Sequence, residues 1–259
     1  MLKFDAEVTR ILENGYKGAD VTRRRQASFD ALQPNPGDVI LDIGCGNGLL
    51  TSELARAVGP EGRIIGIDPS LDMRSVAVKR CADYPWVTFI DGLATDLPVQ
   101  PAIADKAVSV QVFEYIEDVE GAVSSAMRCL KPGGRLVISD IHFDSFILVT
   151  DDPDRMARMK SSWDQHFVAG DVFAAVLGIL KKQGHHVESV VPVTVTDHVL
   201  KPDGLALMMM HLMRQYAIDC KHLDECEADA WFDEQFSLAR EGRFFFSLTQ
   251  FVVSARKSG

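Results

Sequence analysis

The stretch Val39 to Leu50, VILDIGCGNGLL, places a carboxylate, Asp42, two residues ahead of three glycines at alternate positions, Gly44, Gly46 and Gly48. Without a Cβ, such a turn lets the chain bend sharply and lets a ligand approach the backbone. A helix that follows it presents free N–H groups and the positive end of its dipole. A second carboxylate, Asp68, closes the apolar run Ile64-Ile65-Gly66-Ile67, where it can accept hydrogen bonds from both hydroxyls of a ribose. Together these residues suit a ligand that carries adenosine.

Two such ligands use a turn of this kind, the nicotinamide dinucleotides and S-adenosylmethionine. The dinucleotide pattern GxGxxG needs glycine where this chain has Leu49, although alanine variants make that rule soft. Asp42 separates them further: a carboxylate here repels a pyrophosphate and attracts the amino group of a methionine moiety, directly or through water. Further groups able to do chemistry follow later strands, Glu114 and Tyr115, then His142 and Asp144. His142 is the preferred general base, because imidazole titrates near neutrality; the alternative is a surface or hydrogen-bonded histidine. His211, Cys220, His222 and Cys226 fall within sixteen positions but match no compact zinc spacing, so no metal is expected.

These groups must be positioned by strands and helices, and the sequence alternates the two. Strands are expected at Val39 to Ile43, Arg63 to Ile67, Val87 to Ile90, Lys106 to Val112 and Arg135 to Ser139, with helices at Leu49 to Val58, Leu71 to Asp83 and Val119 to Leu130. Lys131-Pro132-Gly133-Gly134 reads as a turn. Val- and Ile-rich strands alternating with helices imply a doubly wound α/β fold with a mostly parallel sheet, its ligand beyond the carboxyl ends of the strands where their order reverses. Ahead of this core, the first 35 residues carry helical spacing (Val8, Ile11, Leu12, then Ala27, Phe29, Leu32). After Asp140 the rhythm changes: residues 141–169 show no clear strand and read as an inserted helix or lid. A helix at Val172 to Gln183 and a strand at His186 to Val195 follow. A Met-rich helical insertion at 202–240 precedes a closing strand, Arg243 to Ala255, able to pair antiparallel.

At 259 residues the chain suits one α/β domain with a cap. Its net charge of −10, with no basic run beyond Arg23-Arg24-Arg25, argues against nucleic acid as a partner. No apolar segment reaches the length of a membrane span, and the start lacks the pattern of a secretory signal. Five scattered cysteines favour reduced thiols, so a cytoplasmic location is expected.

VILDIGCGNG, IIGIDPSLDM, DGLATDLP and DKAVSVQVFEYIEDVEGAVSSAMRCLKPGGRLVISD, in this order, resemble the class I S-adenosylmethionine-dependent methyltransferases over about residues 36–140. The branch most similar is the small-molecule group of ubiquinone, menaquinone and natural-product methyltransferases. The resemblance implies a Rossmann-like seven-stranded sheet with a closing antiparallel strand and helical cap insertions at 141–169 and 202–240. It also implies roles. Gly44, Cys45 and Gly46 line the methionine and ribose, Asp42 holds the amino end, Asp68 takes the ribose, and Pro69 and Met73 pack on the adenine. The family's third motif often carries Gly-Asp-Ala; here Leu93 stands at the acidic position and the nearest acid is Asp91, so backbone groups of Leu93 or Ala94 would serve. Gln111 reaches the methionine side, and Tyr16 and Arg25 close over it. Met73 and Gly48 also have plain packing readings.

The expected activity is methyl transfer from S-adenosylmethionine to oxygen or nitrogen, less readily carbon, of a small and partly apolar metabolite. His142, Tyr115 and Glu114 are the candidate catalytic groups. Trp163, His166 and Phe167, and the run Met208 to Met213, are candidates for the acceptor wall, the Met run more readily as core. A cofactor-binding protein without turnover and a nicotinamide-dependent oxidoreductase are the alternatives. The second insertion serves equally as a lid or as the face of a homodimer.

Overall fold

The computed structural model describes residues 15–168 and 172–259; the expected helical spacing at Val8, Ile11 and Leu12 lies outside them. The elements in chain order are α1 (Ala19–Leu32), β1 (Val39–Ile43), α2 (Leu49–Val58), β2 (Arg63–Ile67), α3 (Leu71–Arg80), β3 (Val87–Ile90) and β4 (Ala104–Val110). A 3₁₀ turn (Phe113–Tyr115) leads to α4 (Val119–Cys129), β5 (Leu130–Leu148), α5 (Pro153–Asp164), α6 (Val172–Lys182) and β6 (His186–Asp197). The last are α7 (Leu205–Asp219), α8 (Glu225–Arg240) and β7 (Phe246–Arg256).

The seven strands form one sheet in the order β3-β2-β1-β4-β5-β7-β6. The first five pair in parallel, with Asp42 opposite Gly66 on one side and Val108 on the other. Strand order therefore reverses between β1 and β4, which opens a crevice beyond Ile43 and Val110. The last strands close the sheet antiparallel: Gly133 N–H donates to Lys257 O at 3.0 Å and Val149 N–H to Phe245 O at 3.1 Å. Ile40, Leu41, Ile64 and Val108 are wholly buried, as strands covered on both faces require.

Two expectations are corrected. Residues 131–134 lie inside β5 rather than forming a turn before it. The register steps from Ala104 opposite Leu130 to Lys106 opposite Arg135, so they are absorbed as a bulge. And β5 runs through Ile141 to Leu148, where no strand was expected. Its alternation is blurred by the polar pair Asp144-Ser145, and its partner β7 lies a hundred residues away, beyond the reach of a local pattern.

By Cα packing the chain divides into two compact units. The larger comprises Arg25–Ile141, Asp171–Pro192 and Gln250–Gly259, and holds the parallel strands and α2, α3 and α4. The smaller comprises Met1–Arg24, His142–Gly170 and Val193–Thr249. Of its helices, α5 and α8 are started by local devices. Asp152 accepts the N–H of Arg155 with Pro153 in the first turn, and Asp224 accepts the N–H of Glu227. Arg155 Nη2 pairs with Glu234 at 2.8 Å and Arg158 Nε with Glu227 at 2.6 Å, so α5 lies antiparallel to α8. Among the described residues no helix is long and apolar enough to cross a membrane.

Candidate active site

The glycine turn is built by three strand ends. Gly44 N–H and Cys45 N–H both donate to Ile67 O, at 2.7 and 3.1 Å, which draws the turn over the end of β2. Gly44 has φ +69° and Gly46 φ +51°, a region that costs an L-residue about 1–2 kcal/mol. A Cβ on Gly44 would stand 2.2 Å from Val112 Cγ2, so this glycine is demanded by the loop after β4. A Cβ on Gly46 would meet nothing within 4 Å among the described residues, so its backbone presents an open face to them. Gly48 is the packing glycine, set against Ala77 of α3.

Asp68 ties this turn to the next one. Its Oδ2 accepts Gly46 N–H at 2.9 Å and its Oδ1 accepts Ser70 N–H at 2.8 Å. A carboxylate offers about four lone-pair positions, so both oxygens keep capacity for two hydroxyls. Arg74 donates to Asp68 O at 2.5 Å and to Asp91 Oδ1 at 3.0 Å. Asp91, the acid nearest the adenine position, is thereby engaged by a guanidinium. Pro69 is exposed, Ala94 half-buried, and Met73 and Leu93 are 47% and 58% exposed. Met73 is thus no core residue, and two apolar side chains stand open beside Asp68, as a planar base would require.

Asp42 lies beneath the turn, 2% exposed, with Thr51 Oγ1 donating to its Oδ2 at 2.5 Å. Burial raises its pKa to about 6; the Thr51 bond opposes this and the charge of Asp68 adds to it. The neighbouring thiols are held protonated. Burial and the charge of Asp42 push Cys45 well above the usual thiol range and Cys81 up to about 11. Cys45 Sγ packs toward Gly66, which leaves its backbone to line the turn.

On the far side of the crevice, Gln111 follows β4 with φ +56° and donates its N–H to Ser139 O at 2.8 Å. Val112 N–H donates to the wholly buried Asp140 at 2.9 Å. The 3₁₀ turn then buries Glu114 and leaves Tyr115 45% exposed. Arg25 belongs to this unit, its Nε donating to Glu53 at 2.9 Å. The larger unit therefore brings together Asp42, Gly44, Cys45, Gly46, Asp68, Pro69, Met73, Leu93, Ala94 and Gln111 around the carboxyl ends of β1, β2 and β4. Thr51, Arg74, Val112 and Asp140 were missed by sequence reasoning. Thr51 had a signal, since it falls within the first turn of the helix that follows Gly48.

The smaller unit holds Tyr16 and His142. His142 is half-buried within β5, not in a loop beyond the fifth strand, and its carbonyl accepts Ser145 Oγ at 2.6 Å. Trp163 stacks on His166 with centroids 4.6 Å apart, Phe143 on Phe167 at 4.1 Å, and Tyr216 meets His166 at 4.9 Å. Burial lowers the pKa of His166. Met208, Met209, Met210 and Met213 are buried as the core of this unit. Among the described residues no group of three or more His, Cys, Asp or Glu is placed to hold a metal.

The residues present fit S-adenosylmethionine: an open backbone face at Gly46, a carboxylate with spare acceptor capacity, and a buried acid in place of a phosphate cradle. Comparison with known proteins agrees. A family model described as a methyltransferase domain matches residues 41–138. An uncharacterized 37.1 kDa protein in transposon TN4556 of Streptomyces fradiae is 32% identical over 239 residues, covering 90% of this chain and 66% of that protein. The 2-phytyl-1,4-naphtoquinone methyltransferase of Thermosynechococcus vestitus is 33% identical over 116 residues, 45% of this chain and 52% of the relative. The chain thus spans about half to two thirds of the length of these relatives. A putative methyltransferase from Bacillus halodurans shares the fold, with a TM-score of 0.65 at 16% identity over 93% of this chain and all of that one. The glycine turn, the switch-point crevice and the matched segment coincide, and the chain carries a methyltransferase domain over residues 41–138.

Proposed function

We propose that this chain transfers a methyl group from S-adenosylmethionine to an oxygen or nitrogen of a small, partly apolar metabolite, as a cytoplasmic enzyme. The observation that carries the reading is Asp68, fixed by the N–H groups of Gly46 and Ser70 at the edge of an open backbone face. The bound sulfonium supplies an electrophilic methyl carbon. What this chain must do is hold a nucleophile in line with it and dispose of the nucleophile's proton.

Asp68 would take the ribose hydroxyls, Met73 and Leu93 would cover the adenine, and the open face of Gly46 would admit the chain of the methionine. Asp42 contributes charge from beneath the turn, favouring a cationic ligand over a pyrophosphate. His142 accepts the proton of the acceptor at an imidazole nitrogen, with Tyr115 and Glu114 beside the crevice as further candidates. An overall charge of −10, with no basic run beyond Arg23-Arg24-Arg25, supports a small acceptor rather than nucleic acid.

The reading is tested by following S-adenosylhomocysteine release with a panel of phenols, quinols and amines, in the wild type and in Asp68→Ala and His142→Ala. Asp68→Ala is expected to weaken S-adenosylmethionine binding at least tenfold. His142→Ala is expected to keep that affinity and lose turnover; unchanged turnover would remove His142 as the base. Binding without release on any acceptor would favour a sensor or partner subunit.

A further inference from the structure

The helical unit encloses polar groups that its own fold does not satisfy. Trp231 and Gln235, one turn apart on the same face of α8, are wholly buried. The indole Nε1 of Trp231 and both the Nε2 and Oε1 of Gln235 have no hydrogen-bond partner among the described residues. Arg155 Nε, on the helix packed antiparallel to α8, is likewise enclosed without one. Buried polar atoms are nearly always paired, because leaving water without a new partner costs free energy. Three such atoms on one face of α8 call for a hydrogen-bonding partner beyond the described residues.

The chemistry of that partner follows from the count of donors. Trp231 offers one N–H and Gln235 two, against a single carbonyl oxygen. The missing partner is therefore a hydrogen-bond acceptor. It is also neutral: the guanidinium of Arg155 is met by Glu234 at 2.8 Å and by Asp152 at 3.7 Å, so an added anion would face surplus negative charge. The surroundings are apolar. Met156 and Met159 bury on α5, and the register that sets His211 against Phe232 and Arg214 against Asp229 brings Met208 of α7 level with Gln235. The ion pairs that tie α5 to α8 are the exposed pair Arg158 to Glu227, individually weak in water, and the more enclosed pair Arg155 to Glu234.

We propose that the inner face of α8 is the polar end of a pocket for a neutral, carbonyl-bearing ligand, whose oxygen accepts from Trp231 Nε1 and Gln235 Nε2. Resting on the methyl-transfer reading, this ligand is the acceptor, and the pair selects it by its carbonyl.

The test uses 1-tetralone and its hydrocarbon counterpart tetralin on the full chain, free and saturated with S-adenosylhomocysteine. The chain has three tryptophans, Trp86, Trp163 and Trp231, and Trp86 Nε1 already donates to Ala55 O at 2.9 Å. In a ¹⁵N–¹H spectrum 1-tetralone should move one indole N–H signal downfield, the one missing from Trp231→Phe, and tetralin should leave it in place. Gln235→Leu should weaken 1-tetralone binding at least tenfold while leaving the affinity for S-adenosylmethionine unchanged and Tm no lower than in the wild type. Equal shifts with both probes, or no shift up to the solubility limit of 1-tetralone, would mean ordered water or packing alone satisfies this face, and would overturn the proposal. So would a fall of several degrees in Tm for Gln235→Leu, which would show the amide already bonded in the fold. Failure of S-adenosylmethionine to bind, with the tetralone shift intact, would overturn methyl transfer and leave the pocket standing.

Discussion

At the scale of single residues the site is governed by where two carboxylates sit. Asp42 is buried against Thr51 and its pKa is raised to about 6, so the fold prefers it neutral. That contribution to stability is complete below the unfolded pKa, near 4, and is lost as pH rises through 6; the ionised form costs up to about 3 kcal/mol. A cationic ligand reverses the preference. Affinity for S-adenosylmethionine should therefore rise about tenfold from pH 5 to pH 7 as Asp42 ionises. Asp42→Asn, which keeps an acceptor for Thr51, should flatten that profile and raise Tm at pH 8; calorimetry and thermal unfolding across pH check both. The glycines differ in kind. Gly46→Ala should lose about 1–2 kcal/mol of stability and at least tenfold in cofactor affinity. Gly44→Ala, which drives a methyl into Val112, should lose more stability, as denaturant unfolding would show. Both carboxylates and both glycines were legible in the sequence, because their spacing around a strand end is itself the signal. Arg74 and Asp140 were not, since each acts through a partner brought close only by the fold, and Thr51 was marked only by its place in the first turn of α2.

At the scale of elements, the first four parallel strands could be read within a residue or two, as they are local apolar runs between turn residues. The antiparallel closure could not. Half of β5 looked like an insertion because its polar Asp144-Ser145 pair is accommodated by β7, where Thr249 N–H donates to Ser145 Oγ at 2.9 Å. A second long-range device is Glu188 on β6, which holds Arg256 at 2.8 Å and Arg135 at 3.0 Å. Partial burial raises its carboxyl pKa, but the guanidiniums outweigh this and hold it below the ordinary value. Its stabilisation is present above the unfolded glutamate pKa and is lost as pH falls through the lower folded value. Glu188→Gln should cost about 1 kcal/mol at pH 7, given its partial exposure, and should lessen the loss of stability below pH 4. Urea unfolding at the two pH values measures this.

At the scale of the whole molecule, a cofactor unit with a readable motif is joined in one chain to a helical unit whose specificity is written in buried side chains without one. The aromatic group around Trp163 and the enclosed amide of Gln235 belong to no spacing rule, which is why the acceptor could not be read from the sequence. Ligand that binds only the folded chain stabilises it by mass action, about 2.7 kcal/mol at a hundredfold excess over Kd. S-adenosylmethionine should thus raise Tm by several degrees, while NAD should leave it unchanged. The most direct test is calorimetric titration of the purified chain with S-adenosylmethionine, S-adenosylhomocysteine and NAD in parallel. Micromolar binding of the first two with none for NAD is the predicted result; binding of NAD alone, or of none of the three, would contradict the reading of Asp42, Gly46 and Asp68 on which the account rests.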